Sequence, residues 1–479
     1  MAGMYLWSFL LDTVLALLYA ATVVACVVVV LSENRNPIRS LAWIIALIFL
    51  PGVGLLFYIF FGRSLKGMHM LSRHNKRKLL SSVNPPRVDM DSLGLPEQER
   101  QLVKLARTIC QAPLSVDNSV EIFTDGRSKF ESLKRDLRRA EESILLQYYI
   151  FLDDSLGQEI ADILIEKARE GVTVKVIYDH VGSFAAHNRF FRRMRDGGVD
   201  THPFFRVTFP QLANRINWRN HRKIVVIDRK VGDIGGMNIA DRYVDGSPDT
   251  GSWRDTHFRV RGDIVESLIY SFVIDWNFLK KTPTLLHMSG RSSGMSGNVG
   301  MQLVTSGPTE KRDNIALTFL KAISGARKNI YIQTPYFLPT DTLLSALEAA
   351  ALSKIDVRVM IPLKSDSVLL RHAAFSYVSK LLDVGIKVYL YREGMLHAKV
   401  MIVDDTFVTA GSTNFDFRSF ENNFECNLLI YDAECNRKMR EIFFSDMNCC
   451  DRVIQSAWKK RPIYNRVIES VVRLFAPIL

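Results

Sequence analysis

The pattern His-x-Lys-x4-Asp occurs twice in this 479-residue chain, and each copy leads into a Gly-x-x-Asn tail at the same distance. The first copy is His221, Lys223 and Asp228, followed by Gly235-Gly236-Met237-Asn238. The second is His397, Lys399 and Asp404, followed by Gly411-Ser412-Thr413-Asn414, and His to Asn spans 17 residues in both. Five fixed identities in one window arise by chance on the order of once in a million windows. Two copies therefore point to a duplicated fold unit rather than to ordinary packed histidines.

The sequence around the motifs repeats as well. SILLQYYIF at 143–151 matches NIYIQTPYF at 329–337, with Gln147 and Gln333 in the same place. A helical pattern follows each run, then a second strand, VTVKVIYDH at 172–180 and DVRVMIPLK at 356–364. A further helix and strand lead to the histidine motif. This alternation indicates an α/β class, with two repeats packed as a pseudo-twofold intramolecular dimer. HRKIVVID and HAKVMIVDD read as strands, in which residues i and i+2 share a face. Each His therefore projects beside its Lys. One such histidine can attack a phosphate while a second, facing it, protonates the leaving group. Lys223, Lys399, Asn238 and Asn414 can compensate phosphate charge, and the small residues Gly236 and Ser412 let the backbone approach a phosphate closely. No metal and no cofactor is expected. The six cysteines contain no CxxC pair, which excludes a zinc pattern and a disulfide framework.

The amino terminus has a different composition. Residues 13–31 and 40–61 carry no charge, and each is about the ~20 residues a helix needs to cross hydrocarbon. No basic stretch precedes the first run and no small-x-small cleavage site follows it, which disfavours a signal peptide. A transmembrane hairpin over 1–63 is expected, with helices at about 11–31 and 40–61 and a kink at Pro51-Gly52. Arg63, Lys66, Arg73, Lys76, Arg77 and Lys78 follow the second run, against Arg35 and Arg39 between the runs. That bias places the catalytic part on the cytoplasmic side of the cell membrane. The net charge of +12 suits an anionic membrane or anionic substrates.

The remaining boundaries follow from composition. Residues 64–115 read as a juxtamembrane segment and linker, 116–288 as the first repeat, 289–298 as a Ser/Gly linker and 299–445 as the second repeat. Residues 446–479 carry an amphipathic helix that either lies in a membrane interface or packs on the core.

At its motifs the chain resembles the phospholipase D superfamily, over about residues 120–432. Gly236 stands where that family often has Ser, whereas Ser412 fits fully. More narrowly, NPIRSLAWIIALIFLPGVGLLFYIFFGR, NHRKIVVIDRKVGDIGGMNIADRY and WRDTHFRVRG are similar to bacterial cardiolipin synthases over nearly the whole chain. The resemblance implies ping-pong transfer of a phosphatidyl group between two phosphatidylglycerols, through a phosphohistidine, giving cardiolipin and glycerol. It implies His221 as nucleophile and His397 as general acid/base, although the symmetry of the repeats leaves that choice open. Asp228 and Asp404 are expected to pair with basic groups and fix motif geometry. Asp255 in WRDTH and Glu425 in NNFEC occupy matching places and are expected to orient the histidines. The expected partners are phosphatidylglycerol and cardiolipin in the membrane, with no nucleic acid and no identifiable protein partner. A phospholipase D-type hydrolase or another phosphatidyltransferase has the same site. A nuclease has no use for the hairpin, and a non-enzymatic scaffold has no use for intact motifs.

Overall fold

The structure, a computed structural model, describes residues 2–32, 37–50, 52–58, 62, 65–67, 70, 94–207, 217–280 and 297–475. The body of the protein holds two large sheets, and each strand of the smaller one has a counterpart in the larger. In the first repeat these are β1 (Asn118–Phe123), β2 (Ser143–Tyr148), β3 (Thr173–Asp179), β4 (Asp200–Phe204), β5 (Ile224–Ile227), β6 (Val231–Gly235), the short β7 (Ser252–Arg254) and β8 (His257–Gly262). Their sheet has seven strands in the order β1-β8-β6-β5-β2-β3-β4. Strands β2, β3 and β4 are parallel and joined by helices, while β5, β6 and β8 form antiparallel pairs.

The second repeat has β9 (Gly300–Ser306), β10 (Asn329–Gln333), β11 (Phe337–Leu338), β12 (Asp356–Pro362), β13 (Lys387–Tyr391), β14 (Gly394–Leu396), β15 (Val400–Val403), β16 (Phe407–Gly411), β17 (Phe415–Asp416), β18 (Glu425–Tyr431) and β19 (Cys450–Arg452). Its eight-stranded order, β19-β13-β12-β10-β15-β16-β18-β9, is the first sheet with β19 added at one edge. The second sheet thus runs past residue 445, where the sequence placed the end of the repeat. Each sheet buries near-continuous apolar strands, such as Ile224–Ile227 and Val400–Val403, under its helices. The α/β class and the two phospholipase D-like repeats read from the sequence are both present. The two repeats also exchange backbone pairs: β7 lies parallel to β14, and Asn220 bridges to Phe424.

One segment departs from its expected role. Residues 64–115 read as a juxtamembrane segment and linker, yet helix Glu97–Cys110 buries Leu102, Val103 and Ala106 in the second repeat's core with Val304, Ile315 and Phe319. Ser115 then pairs with Met301 beside β9. Five charged side chains and two glutamines surround its short apolar stripe at i, i+1 and i+4, so the segment reads as polar sequence. Most of the expected Ser/Gly linker 289–298, and Arg63, Arg73, Lys76, Arg77 and Lys78, lie outside the described residues.

The amino-terminal unit contains helix Ala2–Ser32, of which Trp7–Val28 is long and apolar enough to cross a membrane. The second apolar run is not one helix over 40–61. It divides into Pro37–Phe49 and Val53–Phe57, with Gly52 at φ +73° between them. Proline lacks the N–H that would continue the ladder, and glycine accepts the positive φ. Gly54 lets the second piece close on the first, because a Cβ there would come within 2.2 Å of the Ala46 carbonyl oxygen. Tyr19 donates to the Leu47 carbonyl at 2.7 Å, tying the long helix to the broken one.

Candidate active site

The strand ladders begin at Ile224 and Val400, so the two His-x-Lys pairs sit in the lead-ins to β5 and β15 rather than within strands. Their backbones pair across the seam between repeats. His221 N–H donates to the Phe424 carbonyl at 2.9 Å, and His397 N–H donates to the Arg254 carbonyl at 2.7 Å. Each motif therefore takes its position from the other repeat.

The side chains repeat this exchange. His221 Nδ1 lies 3.0 and 3.1 Å from the two carboxylate oxygens of Glu425, and His397 Nδ1 lies 2.6 Å from Asp255 Oδ2. Asp255 belongs to the first repeat and Glu425 to the second, so each histidine is oriented by the opposite half. A carboxylate on Nδ1 selects the tautomer that leaves Nε2 with its lone pair. All four side chains are buried.

Burial sets the protonation of this cluster. It pushes His221 down to about 4 against the opposing pull of Glu425, and it pushes His397 down to about 4 with help from Lys399. Both imidazoles rest neutral near pH 7, the state a nucleophile requires. Burial alone would raise Glu425 and Asp255, but the neighbouring histidines and lysines hold both carboxyls below their usual range. Burial likewise lowers Lys223 to about 7 and Lys399 to about 8. The lysines differ in placement. Lys223 Nζ donates to the His221 carbonyl at 2.7 Å and lies over the Tyr149 ring, whereas Lys399 Nζ, which likewise donates to the His397 carbonyl, also stands 2.8 Å from His397 Nδ1 and 3.3 Å from Nε2.

The other expected site residues take supporting positions. Among the described residues, neither Asp228 nor Asp404 forms an ion pair with a basic side chain. Asp228 accepts the backbone N–H groups of Glu141, Glu142 and Ser143 at 2.8 to 2.9 Å, and Asp404 accepts those of Arg327, Lys328 and Asn329 at 2.8 to 3.1 Å. Both sit at positive φ in the turn beyond the strand, seven residues of roughly 3.3 Å each from the histidine. They clasp the loop that starts β2 or β10, because three converging N–H groups satisfy a carboxylate as well as a cation does. Asn238 Nδ2 donates to the Tyr243 hydroxyl at 2.7 Å and Asn414 Nδ2 to Asp416 at 3.0 Å, so one amide hydrogen of each is already engaged. Ser412 donates its hydroxyl to Glu425. Gly236 takes the matching place beside Asp255, where a Cβ would come 2.2 Å from Oδ1. The carboxylate fills the space a serine would need, which accounts for the departure from the family pattern at Gly236.

Several contributors were not singled out from the sequence. Tyr149 packs edge-on to His221 at 4.8 Å, and Tyr243 and Trp253 flank His397 at 5.6 and 5.1 Å. Gln147 donates to Asp275 at 2.6 Å and Gln333 to Asp446 at 2.7 Å. Asp275 holds Arg222, whose Nε donates to the Glu425 carbonyl at 3.2 Å. Asp446 holds Arg254, whose guanidinium donates to the Asp255 carbonyl at 2.7 Å. The repeated glutamines were the only sequence signal for these networks, which fix the backbone of both orienting acids. Among the described residues, no group of three or more His, Cys, Asp or Glu side chains is arranged to hold a metal ion.

Comparison with known proteins decides the family. The model described as "Cardiolipin synthase, PLD-like domain" matches residues 133–263 and 319–447, one copy per repeat. The chain belongs to the cardiolipin synthase family. A phospholipase D-nuclease N-terminal model also matches residues 20–63. The major cardiolipin synthase ClsA of Bacillus subtilis (strain 168) is 37% identical over 476 residues, 97% of this chain and 98% of that protein. A cardiolipin synthase of Halalkalibacterium halodurans is 37% identical over 492 residues, covering 100% of this chain and 97% of that protein. The crystal structure of a phosphatidylserine synthase from Haemophilus influenzae Rd KW20 superposes with a TM-score of 0.60 at 15% identity, covering 79% of this chain and 100% of that one, a likeness of fold. Members of this family are phosphatidyltransferases, and the chain is read as one.

Proposed function

We propose that the chain is a membrane phosphatidyltransferase that makes cardiolipin and glycerol from two molecules of phosphatidylglycerol. The observation that carries this reading is the pair of neutral histidines, each held at Nδ1 by a carboxylate of the other repeat. His221 Nε2 attacks the phosphorus of the first phosphatidylglycerol, and the bond to the glycerol oxygen breaks as His397, which takes up a proton from water at Nε2 when the anionic phosphodiester enters beside it, delivers that proton to the oxygen. The imidazolium formed at His221 is stabilised by Glu425. Glycerol leaves. His397 regains its proton from the glycerol hydroxyl of the second phosphatidylglycerol, whose oxygen attacks phosphorus and breaks the P–N bond. Lys223 and Lys399 offset phosphate charge through both steps, Asp255 orients His397, and no cofactor is invoked.

The amino-terminal unit anchors the chain, with the broken second run completing a second pass and the two repeats on the cytoplasmic side. The Phe49–Val53 break is compatible with a pass where neighbouring groups satisfy the freed carbonyls. The test is mass analysis of products after the full chain, reconstituted in vesicles, is given labelled phosphatidylglycerol. Cardiolipin with glycerol is expected, undiminished by EDTA. Phosphatidic acid as the main product would make water the acceptor and overturn the synthase reading.

A further inference from the structure

Helix Ile463–Arg473 meets the body along one narrow seam on helix Val368–Asp383. Only Glu469 and Val472 of this helix are buried. Glu469 accepts Arg461 through both oxygens, at 2.7 and 3.0 Å, and the Arg461 guanidinium stacks 3.4 Å from the Trp458 ring centre. At about 100° per residue, these two seam positions fall within about 60° of each other. Ile463, Tyr464, Val467, Ile468, Val471 and Phe475 occupy a continuous arc of about 140° on a different side. They are between 43% and 70% exposed, so the apolar face of the helix points away from the core rather than into it. A continuous exposed apolar stripe of this kind marks an interaction surface.

The charges around it indicate what covers it. Residues 455–473 carry five basic side chains, Lys459, Lys460, Arg461, Arg466 and Arg473, against the single acid Glu469, which is already paired. Arg466 and Arg473 are exposed and lie on the polar side of the helix, next to the seam and off the apolar arc. An apolar face backed by cations suits a bilayer with anionic headgroups. Two copies docking through this face would instead bring a concentration of like charge together.

We propose that helix Ile463–Arg473 lies in the membrane interface, a second and carboxy-terminal membrane contact that buries its apolar arc among acyl chains under anionic headgroups. This goes beyond the transfer reaction and does not depend on it. The test places a photoreactive diazirine side chain at Val467 or Val471 of the full chain, reconstituted in vesicles of phosphatidylglycerol and phosphatidylethanolamine. Ser470, exposed on the flank of the arc, serves as the comparison site. Irradiation is expected to give lipid adducts at 467 and 471, roughly tenfold over those at 470. Cross-linked pairs of chains would assign the face to a second copy and overturn the proposal. Adduct yields at 467 and 471 no greater than at 470 would show a water-facing helix and overturn it equally. Substitutions at these exposed positions leave the seam intact, and unchanged transfer activity shows that each labelled chain is folded.

Discussion

The two repeats agree in the layer that meets substrate and differ in the layer beneath it. Both supply a His, a Lys, an orienting acid and a Gln–Asp pair, while the arginine each pair braces, Arg222 or Arg254, comes from the first repeat in both cases. Beneath the first motif, Lys129 Nζ donates to the Tyr148 hydroxyl at 2.7 Å, with Asp233 and His257 buried close by. The matching positions in the second repeat are Thr334, Thr409 and Asn427, and there Asn427 simply donates to Thr409 at 3.2 Å. Burial draws Lys129 down and Asp233 up, each against the pull of the other's charge, while Thr334, Thr409 and Asn427 have no side chain to titrate. The comparison teaches that duplication kept the reacting layer under a common constraint and left each half free to fill its interior differently.

The largest effects test whether the histidines divide the work unequally. His221→Ala and His397→Ala are each expected to lower transfer by roughly 10⁴-fold or more, with the chain still folded. They should differ in what accumulates. Mass analysis of the protein under alkaline conditions, where a phosphohistidine bond survives, after brief exposure to phosphatidylglycerol is expected to find a phosphatidyl adduct in His397→Ala and none in His221→Ala. The reverse pattern would exchange the two roles, and near-normal turnover in either variant would sink a two-histidine mechanism.

Next come the acids. Asp255→Asn and Glu425→Gln keep shape but lose the charge that fixes the imidazole tautomer, and each is expected to lower turnover by about 10² to 10⁴-fold. Because the partners are exchanged between repeats, Glu425→Gln should slow adduct formation and Asp255→Asn should slow protonation of the leaving group. A leaving group more acidic than glycerol is therefore expected to rescue Asp255→Asn and not Glu425→Gln. Equal rescue of both would remove the distinction between the halves.

A smaller effect separates the lysines. An ammonium with a lowered pKa is charged below that value and loses its charge as pH rises through it. Lys223 near 7 and Lys399 near 8 should therefore steepen the alkaline fall in kcat/KM for phosphatidylglycerol through pH 7 to 8, and an acidic fall as pH drops through about 4 belongs to the nucleophile His221, since His397 acts in its protonated form. Lys223→Arg should move the first part of the alkaline fall upward, since a guanidinium stays charged. An unchanged profile would show that Lys223 does not meet phosphate in its charged form.

Much of this arrangement was legible in the sequence because it is doubled. A motif with the same spacing twice, inside runs that match at Gln147 and Gln333, carries both the strand order and the residues of the reacting layer. What stayed hidden depends on contacts between distant parts of the chain. His397 meets Asp255 across 142 residues and His221 meets Glu425 across 204, and no local pattern records which acid serves which histidine. The same holds for Asp228 and Asp404, whose turn position was legible but whose partners are backbone N–H groups that composition cannot reveal. Helix Glu97–Cys110 was missed because a three-residue apolar stripe in a charged helix resembles linker until the second repeat's core is there to receive it.

The smallest expected effect bears on the buried layer itself. If Lys129 and Asp233 only fill space, replacing both with apolar residues, Lys129→Met with Asp233→Val, should leave stability within about 1 kcal/mol, because desolvation of a buried pair largely offsets its attraction. Asp233→Val alone should cost about 3–5 kcal/mol, since it leaves Lys129 buried without its acid. Turnover of the double variant is expected within about threefold of the parent, with the alkaline fall unmoved, because Lys223 owes its low pKa to burial and to Lys399, against the pull of Glu425 and Asp255, rather than to this pair. Calorimetry and one pH profile decide the matter. A large loss of turnover in a stable double variant would mean that the lower layer, and not the reacting layer alone, sets the first histidine apart from the second. With turnover retained, the inequivalence must lie where the two motifs visibly differ: both lysines donate to the carbonyl of their own histidine, but Lys399 Nζ also stands against its imidazole while Lys223 Nζ lies over the Tyr149 ring.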